Sequence, residues 1–168
     1  MERRILLILT LIIGACRTER TDRPAVEEDP RQVAGHEGGH ATYALLHPET
    51  FRQVSSKIVD GLGSTTYEHL TAETEVQLRQ RIAWLISGCS AEILFFDGDC
   101  IGNKTDAVKA LELAKSFASR HEGLTAEAVL NLASDDVRRT LLKNSDMLTC
   151  ISNELLQHGR YPDNKLCH

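Results

Sequence analysis

The sequence predicts a mainly α-helical domain carrying one small β-hairpin, and three observations predict it. Apolar residues recur at three- and four-residue spacing over most of the chain beyond residue 30. One stretch, 52–68, breaks that rhythm, with Val54, Ile58, Val59 and Leu62 interspersed among Ser, Thr and Gly. Helix punctuation is regular: Asp29-Pro30, Ser134 and Asn144 read as starts, and Pro48 and His158-Gly159 as stops. With 168 residues, 42% of them hydrophobic, the chain can bury one core, so a single folded domain is expected.

Ahead of that domain, residues 1–16 (MERRILLILTLIIGAC) place Arg3 and Arg4 before a short apolar run that ends in small residues at Cys16. A basic start, an apolar core too short to span a bilayer and a small-residue end make a secretory signal pattern. Its end, Ile13-Gly14-Ala15-Cys16, resembles a bacterial lipobox, which would place lipid on Cys16 and the protein on a membrane surface of the cell envelope; a cytoplasmic location is the alternative. Residues 17–29 mix both charges with few apolar side chains and read as a linker, leaving 30–168 as the domain.

The first helix should run from residue 30 to about 47, with Asp29 as cap and Pro30 in the first turn. It contains VAGHEGGHA at 33–41. His36 and His40 stand one turn apart on one face, and Glu37 lies within reach of a water held between them. This is the H-E-x-x-H arrangement of zinc hydrolases: two neutral imidazoles as ligands, an open position for water, and a carboxylate to take its proton. Composition alone would produce about 0.02 such matches in this chain. Gly38 and Gly39 each weaken a helix interior by roughly 1 kcal/mol relative to Ala, which points to close approach of another backbone. His47 lies too far along the axis to share the ion and fits a helix C-terminus instead.

Two short strands then pair around an Asp60-Gly61 turn. A helix follows over about 74–96, another over 106–121, and Ser134 and Asn144 divide the rest into two or three more, the last ending near Gln157. Cys89, Cys100, Cys150 and Cys167 could pair in an oxidising compartment in three ways, among which the sequence does not choose. A net charge of −5 and a pI near 5.8 give no basic surface, so nucleic-acid binding is set aside.

A catalytic zinc takes three protein ligands. Position 46 is Leu46 and position 43 is Tyr43, which excludes a metzincin-type third histidine. Glu68, His69, Glu92, Asp106 and Glu112 remain as candidates, and spacing leaves the choice open. Taken alone, Asp106 reads more readily as an N-cap or first-turn acid of its helix than as a ligand.

Together the pieces VAGHEGGHA (33–41), GLGSTTYE (61–68), RIAWLISGCSAEILFF (81–96) and IGNKTDAVKALELA (101–114) resemble, in order and spacing, the peptidase domain of FtsH-type ATP-dependent zinc proteases, peptidase family M41. The resemblance covers about 32–166. It implies a helical zinc peptidase fold, Zn2+ on His36, His40 and Asp106, Glu37 as general base, a packing or hydrogen-bonding role for Glu112, and a substrate-docking strand over 62–67. It also implies a polypeptide substrate, with a homo-oligomer or a separate ATPase as partner. The chain departs from the family pattern in having no Walker A motif, a shortened segment after the Asp106 helix, Thr105 in place of the usual asparagine, and Cys89 in place of the usual arginine. These features imply a metalloendopeptidase acting on unfolded or flexible polypeptides. The alternative is a non-catalytic zinc-binding module that regulates a protease.

Overall fold

The structure, a computed structural model, describes residues 29–68, 73–96, 100, 104–161 and 167. The expectations for the signal segment, Cys16 and most of the linker, and for His69, lie outside those residues. Among the described residues, five helices and a small antiparallel sheet follow in the order α1 (Pro30–Leu45), β1 (Arg52–Val59), β2 (Leu62–Glu68), α2 (Glu75–Phe95), α3 (Lys104–Ala118), α4 (Ala126–Lys143), α5 (Ser145–His158) and β3 (Arg160–Tyr161).

Helix α1 is the centre of the fold. Asp29 caps it by accepting from the Arg31 amide at 2.9 Å, and every residue from Val33 to Ala44 is buried. A helix buried all round needs neighbours on every side. It packs against α2, α5 and both strands of the hairpin. The glycine pair permits this: a Cβ on Gly39 would stand 2.6 Å from the Ser87 carbonyl oxygen of α2, and one on Gly38 would collide with Ser152 of α5. Close approach is therefore the reason for both glycines, to main chain at Gly39 and to a side chain at Gly38. The helix ends at Leu45, two residues before the expected limit. His47 Nδ1 then donates to the Tyr43 carbonyl at 2.8 Å, the helix-end role anticipated for it.

The hairpin turns through Asp60 (φ 52°) and Gly61 (φ 78°), two consecutive left-handed residues of the kind that matches strand twist. Ser55 to Val59 pair with Thr66 to Leu62 in unbroken register. A third strand, β3, was not legible beforehand; it is two residues long and pairs with Ser56 and Lys57 on the other side of β1, giving the order β2-β1-β3. That order leaves β2 at an edge.

Helix α2 begins with a reciprocal capping box between Thr74 and Gln77. The helix holding Asp106 starts at Lys104 and stops at Ala118, slightly earlier at both ends than expected. Ser134 caps nothing: it lies inside α4, whose apolar residues Leu130, Ala133, Val137 and Leu141 keep helical spacing straight through it. Thr125 is the actual cap, accepting from the Ala128 amide at 3.1 Å. Asn144 does separate α4 from α5, and Gly159 (φ 67°) ends α5 as a left-handed cap. Val137, Leu141, Leu148, Ile151 and Leu155 close the core against α1 and α2. Two disulfides choose the pairing: Cys89–Cys100 joins α2 to the segment before α3, and Cys150–Cys167 joins α5 to the chain's end. No helix among the described residues is long and apolar enough to cross a membrane.

Candidate metal centre

The buried face of α1 presents His36 and His40 to α2, and the first turn of α3 brings Asp106 to the same point. His36 Nε2 and His40 Nε2 are 3.0 Å apart, and Asp106 Oδ2 lies 3.8 Å from the first and 3.4 Å from the second. Among the described residues these three form the one cluster with metal-ligand spacing.

The outer nitrogens settle how the rings are protonated. His36 Nδ1 lies 2.5 Å from Glu92 Oε1, and His40 Nδ1 lies 2.8 Å from the Trp84 carbonyl oxygen. A carboxylate and a carbonyl only accept, so both Nδ1 atoms donate. In the neutral rings both Nε2 atoms then turn lone pairs toward one spot, where two acceptors and a carboxylate repel one another unless a cation sits between them. Without metal, a proton fills that role. Burial would keep His36 neutral, but hydrogen bonds to Asp106 and Glu92 outweigh it and raise its pKa from 6.5 to about 9. Burial also opposes ionisation of Asp106, yet His36 and His40 hold its carboxyl well below the usual carboxylate range.

The donor set suits zinc. Tetrahedral ligands about 2.05 Å from a common centre stand about 3.3 Å apart, inside the span of the three observed separations. The pocket is kept clear by Gly88 of α2, where a Cβ would stand 2.6 Å from His40 Nε2 and 2.7 Å from His36 Nε2. Glu92, one of the candidate ligands in the sequence, instead orients His36 from behind. It is 1% exposed. Glu68 is exposed at the end of β2, and Glu112 is exposed on α3, which corrects the packing role expected of it: the interior face of that helix is taken by Ala110, Ala114 and Phe117.

Glu37 is buried beside the three. Its Oε2 accepts from the Thr65 hydroxyl of β2 at 2.5 Å. A cavity of about 510 Å³ opens over His36, Glu37, His40 and Asp106, bounded by Gln32, Val33, Leu62, Gly63, Ser64 and Lys109. The histidines, Glu37 and Asp106 were legible in the sequence as candidates. Thr65, Gly88 and the supporting role of Glu92 were not, although Gly88 follows the signal already noted at Gly38-Gly39, a glycine inside an apolar helix.

No protein-family model matches the chain. Individual proteins do. Over 122 residues it is 33% identical to the ATP-dependent zinc metalloprotease FtsH of Thermobaculum terrenum, covering 69% of this chain and 19% of that protein. Over 108 residues it is 33% identical to the ATP-dependent zinc metalloprotease FtsH 2 of Sphaerobacter thermophilus, covering 61% and 17%. The FtsH of Methylibium petroleiphilum is 35% identical over 103 residues, 56% of this chain and 16% of its own length. The chain spans less than a fifth of these curated relatives, and over that part it is related to proteins named as zinc metalloproteases.

Proposed function

We propose that this chain is a zinc metalloendopeptidase of the M41 type, with His36, His40 and Asp106 as zinc ligands and Glu37 as general base. The observation that carries the reading is the convergence of two Nε2 atoms 3.0 Å apart with the Asp106 carboxylate, next to a buried glutamate in the same cavity. The likeness to zinc metalloproteases supports it. Zinc bound there supplies Lewis acidity, polarising a peptide carbonyl and acidifying a water molecule. The protein's own groups do the rest. Glu92 and the Trp84 carbonyl hold the rings in the ligating tautomer. Glu37 takes the proton from the water that attacks the carbonyl carbon and returns it to the leaving amine nitrogen as the C–N bond breaks. The edge of β2 offers main-chain hydrogen bonds to an extended polypeptide.

The substrate is accordingly an unfolded or flexible polypeptide, since only an extended main chain can pair with that edge and a stable domain resists opening by about 5 to 15 kcal/mol. Lipid on Cys16 would hold the chain at a bacterial membrane surface, where self-association or a separate ATPase partner could deliver clients. The test pairs metal analysis with cleavage of one protein in folded and destabilised forms. About one zinc per chain and selective cleavage of the destabilised form are expected, with Glu37→Gln keeping the metal and losing cleavage. A parent that binds zinc yet cleaves no more than Glu37→Gln is a binding module and not a peptidase.

A further inference from the structure

Glu37 has two carboxylate oxygens, and proton transfer needs one of them. The other is engaged from the sheet: Thr65 Oγ1 lies 2.5 Å from Glu37 Oε2 and 2.8 Å from Ser56 Oγ. An ionised carboxylate only accepts, and each hydroxyl carries a single proton. Thr65 therefore donates to Glu37 and accepts from Ser56, so the two bonds run one way, Ser56 to Thr65 to Glu37. A 3.3 Å approach of the same hydroxyl to the Glu37 carbonyl oxygen places it over the residue's main chain as well.

Ser56 and Thr65 are direct partners across the β1–β2 ladder, so their side chains leave the sheet on one face, the face that meets α1. Ser56 is 1% exposed, so its hydroxyl is turned to Thr65 rather than to solvent. Gly63 stands two residues earlier on that face, and a Cβ there would fall 2.5 Å from both Glu37 Cγ and Oε1. One strand face thus supplies room at Oε1 and a donor at Oε2.

We propose that Thr65, itself oriented by Ser56, is a positioning residue that holds Glu37 through Oε2 and leaves Oε1 for the reacting water. The inference rests on Glu37 being the base. Strand β2 then serves the reaction twice: its edge receives the polypeptide, and its inner face aligns the carboxylate.

The 168-residue chain, with and without zinc, provides the test. Thr65→Val keeps the branched shape and strand preference while deleting the donor. It should retain zinc and the KM for an unfolded peptide, while kcat falls about 10- to 100-fold, the scale of a misplaced catalytic group. Thr65→Ser should recover all but about 3-fold of that loss, and Ser56→Ala should lower kcat about 3- to 10-fold. A Thr65→Val enzyme with unchanged kcat, one that loses only KM, or a Thr65→Ser enzyme as slow as Thr65→Val would each overturn the proposal. Crystal structures of the metal-free parent and variants give a readout that needs no activity: the carboxylate should leave its position in Thr65→Val and keep it in Thr65→Ser. An unmoved Glu37 in Thr65→Val refutes the positioning role. A parent that cleaves nothing refutes the peptidase reading, and the crystal structures still decide whether Thr65 places Glu37.

Discussion

The two histidines and the aspartate meet at one point but are held in different ways. His36 and His40 belong to a helix buried along its whole middle, with each outer nitrogen fixed by an acceptor from α2. Asp106 sits in the first turn of α3, with its side chain 20% exposed, six residues after a cysteine tied back to α2. The floor of the site is preformed by packing. Its third side arrives at the start of a separate helix, close in sequence to a disulfide.

Ligand deletion should break the site on both sides of this comparison, but unequally. His40→Ala should weaken zinc binding by about 1,000-fold or more, and Asp106→Ala by about 100-fold, because the remaining imidazole pair stays organised. Equilibrium competition with a chromophoric chelator measures both. Equal losses would mean that the preformed floor confers no advantage, and full retention in Asp106→Ala would remove Asp106 as a ligand.

Support behind the floor comes next. Glu92→Ala should cost about 10- to 100-fold in zinc affinity while leaving all three ligands in place, the usual scale for a group that orients a ligating histidine. The same assay decides it, with a thermal melt to separate a loss of fold from a loss of orientation.

A smaller effect should sharpen the tether side. Replacing Cys89 and Cys100 by Ser should lower zinc affinity several-fold and stability by roughly 2 to 3 kcal/mol, as expected for opening a loop of this length. The Cys150→Ser, Cys167→Ser pair should destabilise by a comparable amount and leave zinc affinity unchanged. Matching zinc affinities in the two double variants would show that Asp106 needs no tether.

The smallest effect concerns a single proton. His36 without metal has its pKa raised to about 9, so its contribution to stability is fully present below 6.5 and disappears as pH rises through 9. Asp106 is shifted the other way, so its contribution is present above the ordinary carboxylate pKa and lost in acid. The metal-free protein should accordingly gain most from this pair between about pH 4 and 6.5. Zinc must displace the His36 proton, so its affinity should climb with pH up to about 9. Calorimetry at pH 7 in buffers of different ionisation enthalpy should show about one proton released per zinc, and no buffer dependence would contradict the shared-proton account.

Much of the floor was legible in the sequence because it is local. The spacing of His36, Glu37 and His40 fixes one helix face, and the glycines beside them announce tight packing before any partner is known. Asp60-Gly61 marks its turn through backbone geometry alone. The features that escaped are those in which distant segments meet. Ser134 has the chemistry of a cap, but the apolar rhythm of α4 overrode it. Thr65 and Ser56 look like ordinary strand hydroxyls until the hairpin is laid against α1, and β3 is too short to carry a pattern. Glu92 could be recognised as important to the site but not distinguished from a ligand, because either role needs a buried carboxylate near the histidines. The cysteines could not be paired because loop spacing carries no information about which ends are adjacent in space.

The burial of the middle of α1 also governs how the site can come apart in time. Amides from Val33 to Ala44 lie in the buried middle of the helix, so their hydrogen exchange should follow global unfolding. The first turn of α3, where the Asp106 side chain is partly exposed, should exchange by local fraying. An ion held between the two would dissociate through the fraying side, with the histidines still in their native positions.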